Sequence, residues 1–117
     1  MRKLSFIIVN YNTKIVTEEC IDSIFGNRSL KKLNYEVIVV DNDSYDDSVC
    51  YLEKKFSDKV NFKIIASTEN LGFGKANNSG AYTSTGDILV FLNSDTIVKD
   101  TNFEKLTSLL ADNIGFL

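Results

Sequence analysis

Three short apolar runs divide the chain: "LSFIIV" at 4–9, "YEVIVV" at 35–40 and "DILVFL" at 87–92. They are rich in Val, Ile, Leu and Phe and show no regular polar alternation. That is the pattern of strands covered on both faces, as in a parallel sheet between helices. A weaker run, "NFKIIA" at 61–66, alternates in part and suits a strand nearer an edge. Between the first two runs, residues 14–26 place Ile15, Val16, Cys20, Ile24 and Phe25 roughly on one helical face, with Gly26 as a stop. Ser44 and Asp47 have the spacing of a capping box ahead of "SVCYLEKKF", and Thr101 and Glu104 repeat it ahead of "KLTSLLAD". Residues 75–85 read as a third helix. The alternation of strand and helix predicts an α/β fold, a mostly parallel central sheet flanked by helices, in one domain over residues 1–117. The run at 87–92 is expected as a central strand. "NIGFL" at the end reads as a fifth strand just beginning, so the chain is expected to be part of a longer domain.

Composition narrows the chemistry. The 117 residues are 44% hydrophobic and 25% charged, which is ordinary for a globular domain. A net charge of −3 argues against a nucleic-acid partner, which calls for a basic face. No run approaches the ~20 apolar residues of a membrane span. Although Arg2 and Lys3 precede the first apolar run, no small-residue cleavage site follows it, so it reads as a strand and not as a signal peptide. Cys20 and Cys50 form no C-x-x-C pair and fit a reducing compartment, which places the chain in the cytoplasm. There is no His. That removes His-based triads, the usual zinc sets and the commonest general base. A metal here would meet oxygen ligands, which selects Mg²⁺ or Mn²⁺.

Three of the four predicted strands end in polar residues. The first runs into Asn10-Tyr11-Asn12, the second into Asp41-Asn42-Asp43-Ser44 and the last into Asn93-Ser94-Asp95. In a parallel α/β sheet ligands lie outside the carboxyl ends of the strands, so these groups are expected to converge on one rim. Taken singly, Asn12, Asp43 and Ser44 are also ordinary caps, and Tyr11 is equally a partly buried core residue. Asp41 and Asp95 each stand just beyond an apolar run, and a carboxylate there needs hydrogen bonds or a cation. The segment "NLGFGKANNSGAYTSTG", 70–86, holds four of the six glycines. Gly72 and Gly74 open the third helix, where a glycine loop can offer backbone amides to a phosphate or simply make a tight turn. Gly80 inside that helix is unfavourable by up to ~1 kcal/mol relative to Ala, which suggests a close backbone approach.

Four motifs, "SFIIVNYN", "VIVVDNDSYDDS", "NLGFGKANNSG" and "ILVFLNSDT", closely resemble in order and spacing the N-terminal half of family-2 inverting glycosyltransferases of the GT-A fold. The match is nearest to a bacterial branch of rhamnosyltransferase-like enzymes and covers nearly the whole chain. The resemblance implies the donor-binding half of an enzyme that transfers a sugar from a UDP- or dTDP-linked donor to a hydroxyl of a glycan or lipid-linked acceptor. It implies a role in cell-surface polysaccharide synthesis, with the inner face of the membrane as one place to act. It puts Tyr11 and Asn12, with Asn10, around base and ribose, and Asp41 on the nucleobase. Asn70 and Gly72 fall along the nucleotide. Asn93-Ser94-Asp95 stands at the D-x-D position, where Asp95 would ligate the metal and Asn93 replaces the first acid. The family's acceptor base lies further downstream, so no catalytic base is expected in this chain; Asp100 and Asp112 read as structural.

Two other enzyme classes fit poorly. A phosphoacceptor receiver needs an acidic pair after the first strand, and a sugar nucleotidyltransferase needs a Gly-rich, Arg-bearing loop there. The alternative that stays open is a non-catalytic nucleotide-binding or assembly module that kept the fold.

Overall fold

The computed structural model describes residues 2–99. The Thr101–Glu104 capping box and the strand expected at "NIGFL" lie outside the described residues. The chain forms β1 (Lys3–Asn10), α1 (Lys14–Phe25), β2 (Asn34–Asp41), α2 (Ser48–Lys55), β3 (Phe62–Ala66), α3 (Phe73–Thr83) and β4 (Ile88–Leu92). All four strands are parallel, in the order β3-β2-β1-β4. β1 and β2 pair over their whole length, from Lys3 opposite Asn34 to Asn10 opposite Asp41. β4 joins the other side of β1, from Leu4 opposite Ile88 to Ile8 opposite Leu92. The run at 87–92 is therefore a strand, but it stands at one end of the described sheet instead of its centre. β3, the partly alternating run, lies at the other end as expected.

The absence of alternation in β1 and β2 has the expected cause, since both faces are covered. Leu4, Phe6 and Ile8 of β1 join Val37 and Val39 of β2 in one cluster with Cys20, Ile21 and Ile24 of α1 and Leu52 of α2. On the opposite face Val9, Ile38 and Val40 meet Ala76 of α3. Each fully buried Val, Leu, Ile or Phe among them contributes about 1.5–3 kcal/mol. α3 lies close because its inward positions are small. A Cβ added at Gly80 would come within 2.5 Å of Ile7 Cγ2 and 3.1 Å of Val40 Cγ2. The close approach inferred from this glycine is present.

Helix boundaries match the sequence within two residues; the details of their faces and caps differ. In α1 the buried residues are Thr17, Cys20, Ile21 and Ile24, whereas Ile15 and Val16 are exposed. The Ser44–Asp47 box does not form, because Ser44 is held by Asp41 and Asp47 adopts a left-handed φ of 58° without a side-chain cap. In its place the Asp46 carboxylate accepts the Ser48 N–H at 3.0 Å and the Ser48 hydroxyl.

One buried charge crosses the apolar sheet. Glu36, 2% exposed, sits opposite Ser5. Its carboxylate accepts the Ser5 hydroxyl at 2.7 Å and the Thr85 N–H at 2.7 Å, and it pairs with Lys63 Nζ at 3.2 Å. The Gly86 N–H donates to Ser5 Oγ at 2.9 Å. This network fastens the amino end of β4 to β1 and β2, so the register of β4, and with it the residues after Leu92, is fixed from below. No helix among the described residues is long and apolar enough to cross a membrane.

Candidate functional site

Because the sheet order is β3-β2-β1-β4, the chain leaves β1 toward β2 on one side and arrives at β4 on the other. The gap between the carboxyl ends of β1 and β4 is thus a point where strand order reverses, the place where open α/β sheets form crevices. A crevice of about 590 Å³ opens there. β1 and the turn after it supply Val9, Tyr11 and Thr13, and α1 supplies Val16. Asn42 enters from the end of β2, and Asn70 and Phe73 from the start of α3. Asn93, Ser94 and Asp95 close it from the end of β4. The three strand ends that the sequence marked as polar do reach one rim.

The walls are built by hydrogen bonds. Asn10 is fully buried and points away from the crevice into a network: its Nδ2 donates to Asp41 Oδ1 at 2.7 Å, and its Oδ1 accepts the hydroxyls of Thr13 at 3.0 Å and Thr17 at 2.6 Å. Asp41, 3% exposed, accepts the Ser44 N–H at 2.9 Å on Oδ2 and the Ser44 hydroxyl at 2.7 Å on Oδ1. Ser44 Oγ in turn accepts the Asn12 N–H at 2.9 Å. The burial of Asp41 is compensated by hydrogen bonds and needs no cation. Neither Asn10 nor Asp41 lines the crevice. Asn12 turns the chain with φ 55°, and its Oδ1 accepts the Tyr45 N–H at 2.8 Å, so it too acts on the loops and not on the cavity wall. Tyr11, between them, is 43% exposed and lines the crevice.

The residue that reaches the crevice from β2 is Asn42, which the sequence reading passed over. Its Oδ1 accepts the Leu71 N–H at 2.9 Å. A backbone N–H can only donate, so the orientation of this amide is dictated, and its Nδ2 is the end left for other partners. The signal was available: Asn42 follows Asp41 directly, and successive strand side chains point to opposite faces. Asn70 bonds the Gly72 N–H through Oδ1 at 2.9 Å and shapes the turn into α3. Gly72 has φ 81° and ψ 166°, a region open to glycine, and a Cβ there would meet nothing within 4 Å. Its glycine is explained by backbone conformation.

The turn after β4 rests on α1. The Cys20 thiol lies 3.9 Å from the Asn93 carbonyl, to which it donates, and Thr96 N–H donates to the same oxygen at 3.0 Å. Ser23 Oγ accepts the Val98 N–H at 2.8 Å, and Asn27 Nδ2 donates to the Lys99 carbonyl at 2.9 Å. Burial, and then the nearby Asp95 charge, push the Cys20 thiol up to about 11, so it stays protonated and serves as a small apolar support. Asp95 is exposed and is the one carboxylate lining the crevice among the described residues. No cluster of three or more His, Cys, Asp or Glu able to enclose a metal occurs among the described residues. The oxygens offered at the crevice are the Asp95 carboxylate and the neighbouring amide and hydroxyl, a donor set that suits a hard cation completing its shell with a ligand's phosphates.

An all-parallel α/β unit with a polar crevice at a strand-order reversal is a recurrent small-molecule-binding architecture. The chain belongs to glycosyl transferase family 2, whose sequence profile matches residues 5–114. Among curated relatives it is 32% identical over 97 residues to a poly(ribitol-phosphate) beta-glucosyltransferase of Bacillus spizizenii, covering 82% of this chain and 15% of that protein. It is 34% identical over 93 residues to a dolichol-phosphate mannosyltransferase of Pyrococcus furiosus, covering 80% of this chain and 26% of that one. The chain thus spans about a quarter or less of these two relatives' length. Among solved structures, Staphylococcus aureus TarS in complex with UDP superposes with a TM-score of 0.80 at 24% identity, over 94% of this chain and 32% of that one. A Pyrobaculum calidifontis mannosyltransferase in complex with GDP-Man and Mn²⁺ gives 0.81 at 23% identity, over 96% and 33%. These likenesses establish the GT-A fold.

Proposed function

We propose that this chain carries the donor-binding half of a glycosyltransferase, one that moves a sugar from a nucleoside-diphosphate donor to an acceptor hydroxyl with inversion. The observation that carries the reading is the meeting of Tyr11, Asn42, Asn70 and Asp95, from four separate chain segments, on one crevice. The solved neighbours hold UDP or GDP-Man, which supports a nucleotide-linked donor. A UDP- or dTDP-linked sugar and the rhamnosyltransferase-like branch rest on the motifs.

In this reading the Tyr11 ring and the apolar side chains of Val9 and Phe73 flank the base and ribose. The Asn42 amide, with Oδ1 already engaged, donates from Nδ2 to a base carbonyl. Asp41 and Asn10, assigned to the nucleotide on sequence grounds, act one step back by holding Ser44 and the turn that carries Tyr11 and Asn12. Asn70 and Gly72 shape the loop along the nucleotide, and the Asn93 amide borders the diphosphate. Asp95 faces that diphosphate and would hold a Mg²⁺ or Mn²⁺ together with it. Such an ion, when bound, neutralises negative charge on the leaving nucleoside diphosphate. The hydroxyl-activating base is expected from outside the described residues, because among these Asp95 is the one carboxylate lining the crevice and is engaged otherwise.

The test is calorimetric titration of UDP into the chain with and without Mn²⁺. Mn²⁺ is expected to tighten UDP by about ten-fold, a difference of ~1.4 kcal/mol. Asp95→Ala should bind UDP as wild type does without metal and show no gain from Mn²⁺. Equal UDP affinity with and without Mn²⁺ in wild type would remove the metal role.

A further inference from the structure

An exposed tyrosine stands beside the crevice without lining it, in contact with a residue that does. Tyr45 is 84% exposed, yet its backbone and those of its neighbours are tied to the adjoining loop. Its N–H donates to Asn12 Oδ1 at 2.8 Å. Ser44, before it, is bonded to Asp41 and to the Asn12 N–H. Asp46, after it, accepts the Lys14 N–H at 3.3 Å and both polar groups of Ser48. Asn12, Asp43 and Asp47 hold positive φ values of 55°, 67° and 58° in these two loops, conformations that non-glycine residues avoid unless the surroundings impose them. The result is a rigid platform that presents one aromatic ring. That ring meets Tyr11 edge-to-face, with centroids 6.2 Å apart and planes at 86°. Tyr11 and Phe73 are the aromatic side chains that line the crevice, and Tyr45, which does not line it, meets Tyr11 from beside it.

Resting on the donor-site reading above, we infer that Tyr45 is a positioning residue for the nucleobase: it holds the Tyr11 ring upright against the crevice and so favours binding of the base without touching the diphosphate. Edge-to-face aromatic pairs are favourable beyond the area they bury, and a ring fixed in advance loses less freedom when a planar ligand stacks on it. The hydroxyl of Tyr45 is not needed for this.

The experiment compares wild type, Tyr45→Ala and Tyr45→Phe by calorimetric titration with two probes, UDP and inorganic pyrophosphate, each with Mn²⁺. Tyr45→Ala is expected to weaken UDP roughly two- to ten-fold, the range such a ring pair spans, and to leave pyrophosphate unchanged. Tyr45→Phe should match wild type for both probes. Tyr45 is surface-exposed, so the variants should fold, and matching circular dichroism checks this. Unchanged UDP binding in Tyr45→Ala overturns the inference, as does an equal loss for UDP and pyrophosphate, which would mean a general disturbance of the rim. A wild type that binds neither probe refutes the donor site itself, and the inference with it.

Discussion

Glu36 shows how one residue can fix an element and leave a signature in pH. Burial pushes its carboxyl upward, but the Thr85 N–H, the Ser5 hydroxyl and Lys63 outweigh this and bring it down to about 2, against an ordinary 4.5. A carboxyl lowered on folding stabilises the fold above its ordinary value, and that stability is lost as pH falls through the folded value. The window therefore runs from about pH 4.5 down to about 2. Glu36→Gln is expected to be less stable than wild type by on the order of 3 kcal/mol at pH 7, with the difference shrinking across that window in urea melts at several pH values. A constant difference down to pH 2 would remove the charge from the explanation. Nothing in the sequence marked Glu36, because a single acid in "YEVIVV" looks like the solvent side of a strand. Its partners Ser5, Lys63 and Thr85 are far away along the chain, and only register brings them together. The same holds for Asp41: the apolar run before it showed that a carboxylate had to be satisfied there, but not that Asn10 and Ser44 would do so.

Elements were legible where periodicity reports burial. The covered strands, the three helices and the close seat of α3 could all be read from apolar runs and from one glycine inside a helix. What periodicity could not supply was which side of a helix end remains open. Ile15 and Val16 sit in an apolar pattern, yet they fall on the first turn of α1, where both are exposed, and Val16 lines the crevice. The capping box failed because the Ser44 hydroxyl instead donates to Asp41 at the end of β2 and accepts the Asn12 N–H. Gly80 gives the element-level test. Ala raises helix propensity by up to ~1 kcal/mol, but its methyl would stand 2.5 Å from Ile7 Cγ2, so α3 or the side chains of the sheet beneath it must shift. Overpacking of this kind is unfavourable by about 1–3 kcal/mol, and Gly80→Ala should lower stability on thermal or urea melts in spite of the better propensity. A gain in stability would show that α3 is not pressed on β1.

At the scale of the whole molecule, parallel pairing turns separate strand ends into one surface. The sequence placed polar residues after β1, β2 and β4; the sheet order then decides that β1 and β4 are neighbours and that the crevice opens between them. The rim was therefore readable, and the occupant of each place on it was less so. Asn42 and not Asp41 faces the cavity, since side chains alternate along a strand and the first acid turns inward. Cys20 and Ser23 of α1, with Asn27 just after it, lie beneath the residues that follow β4, a support that no motif announced. The central claim is that this rim receives a nucleoside diphosphate. The most direct measurement is a titration of the ¹⁵N-labelled chain with UDP and Mg²⁺, followed by amide resonances. The largest shifts should fall together on Tyr11, Asn42, Asn70 to Phe73 and Asn93 to Asp95, while Lys63 and Thr85 at the opposite edge stay still. Shifts centred on Lys63 and Thr85, or no saturable shifts at the carboxyl rim, would contradict it.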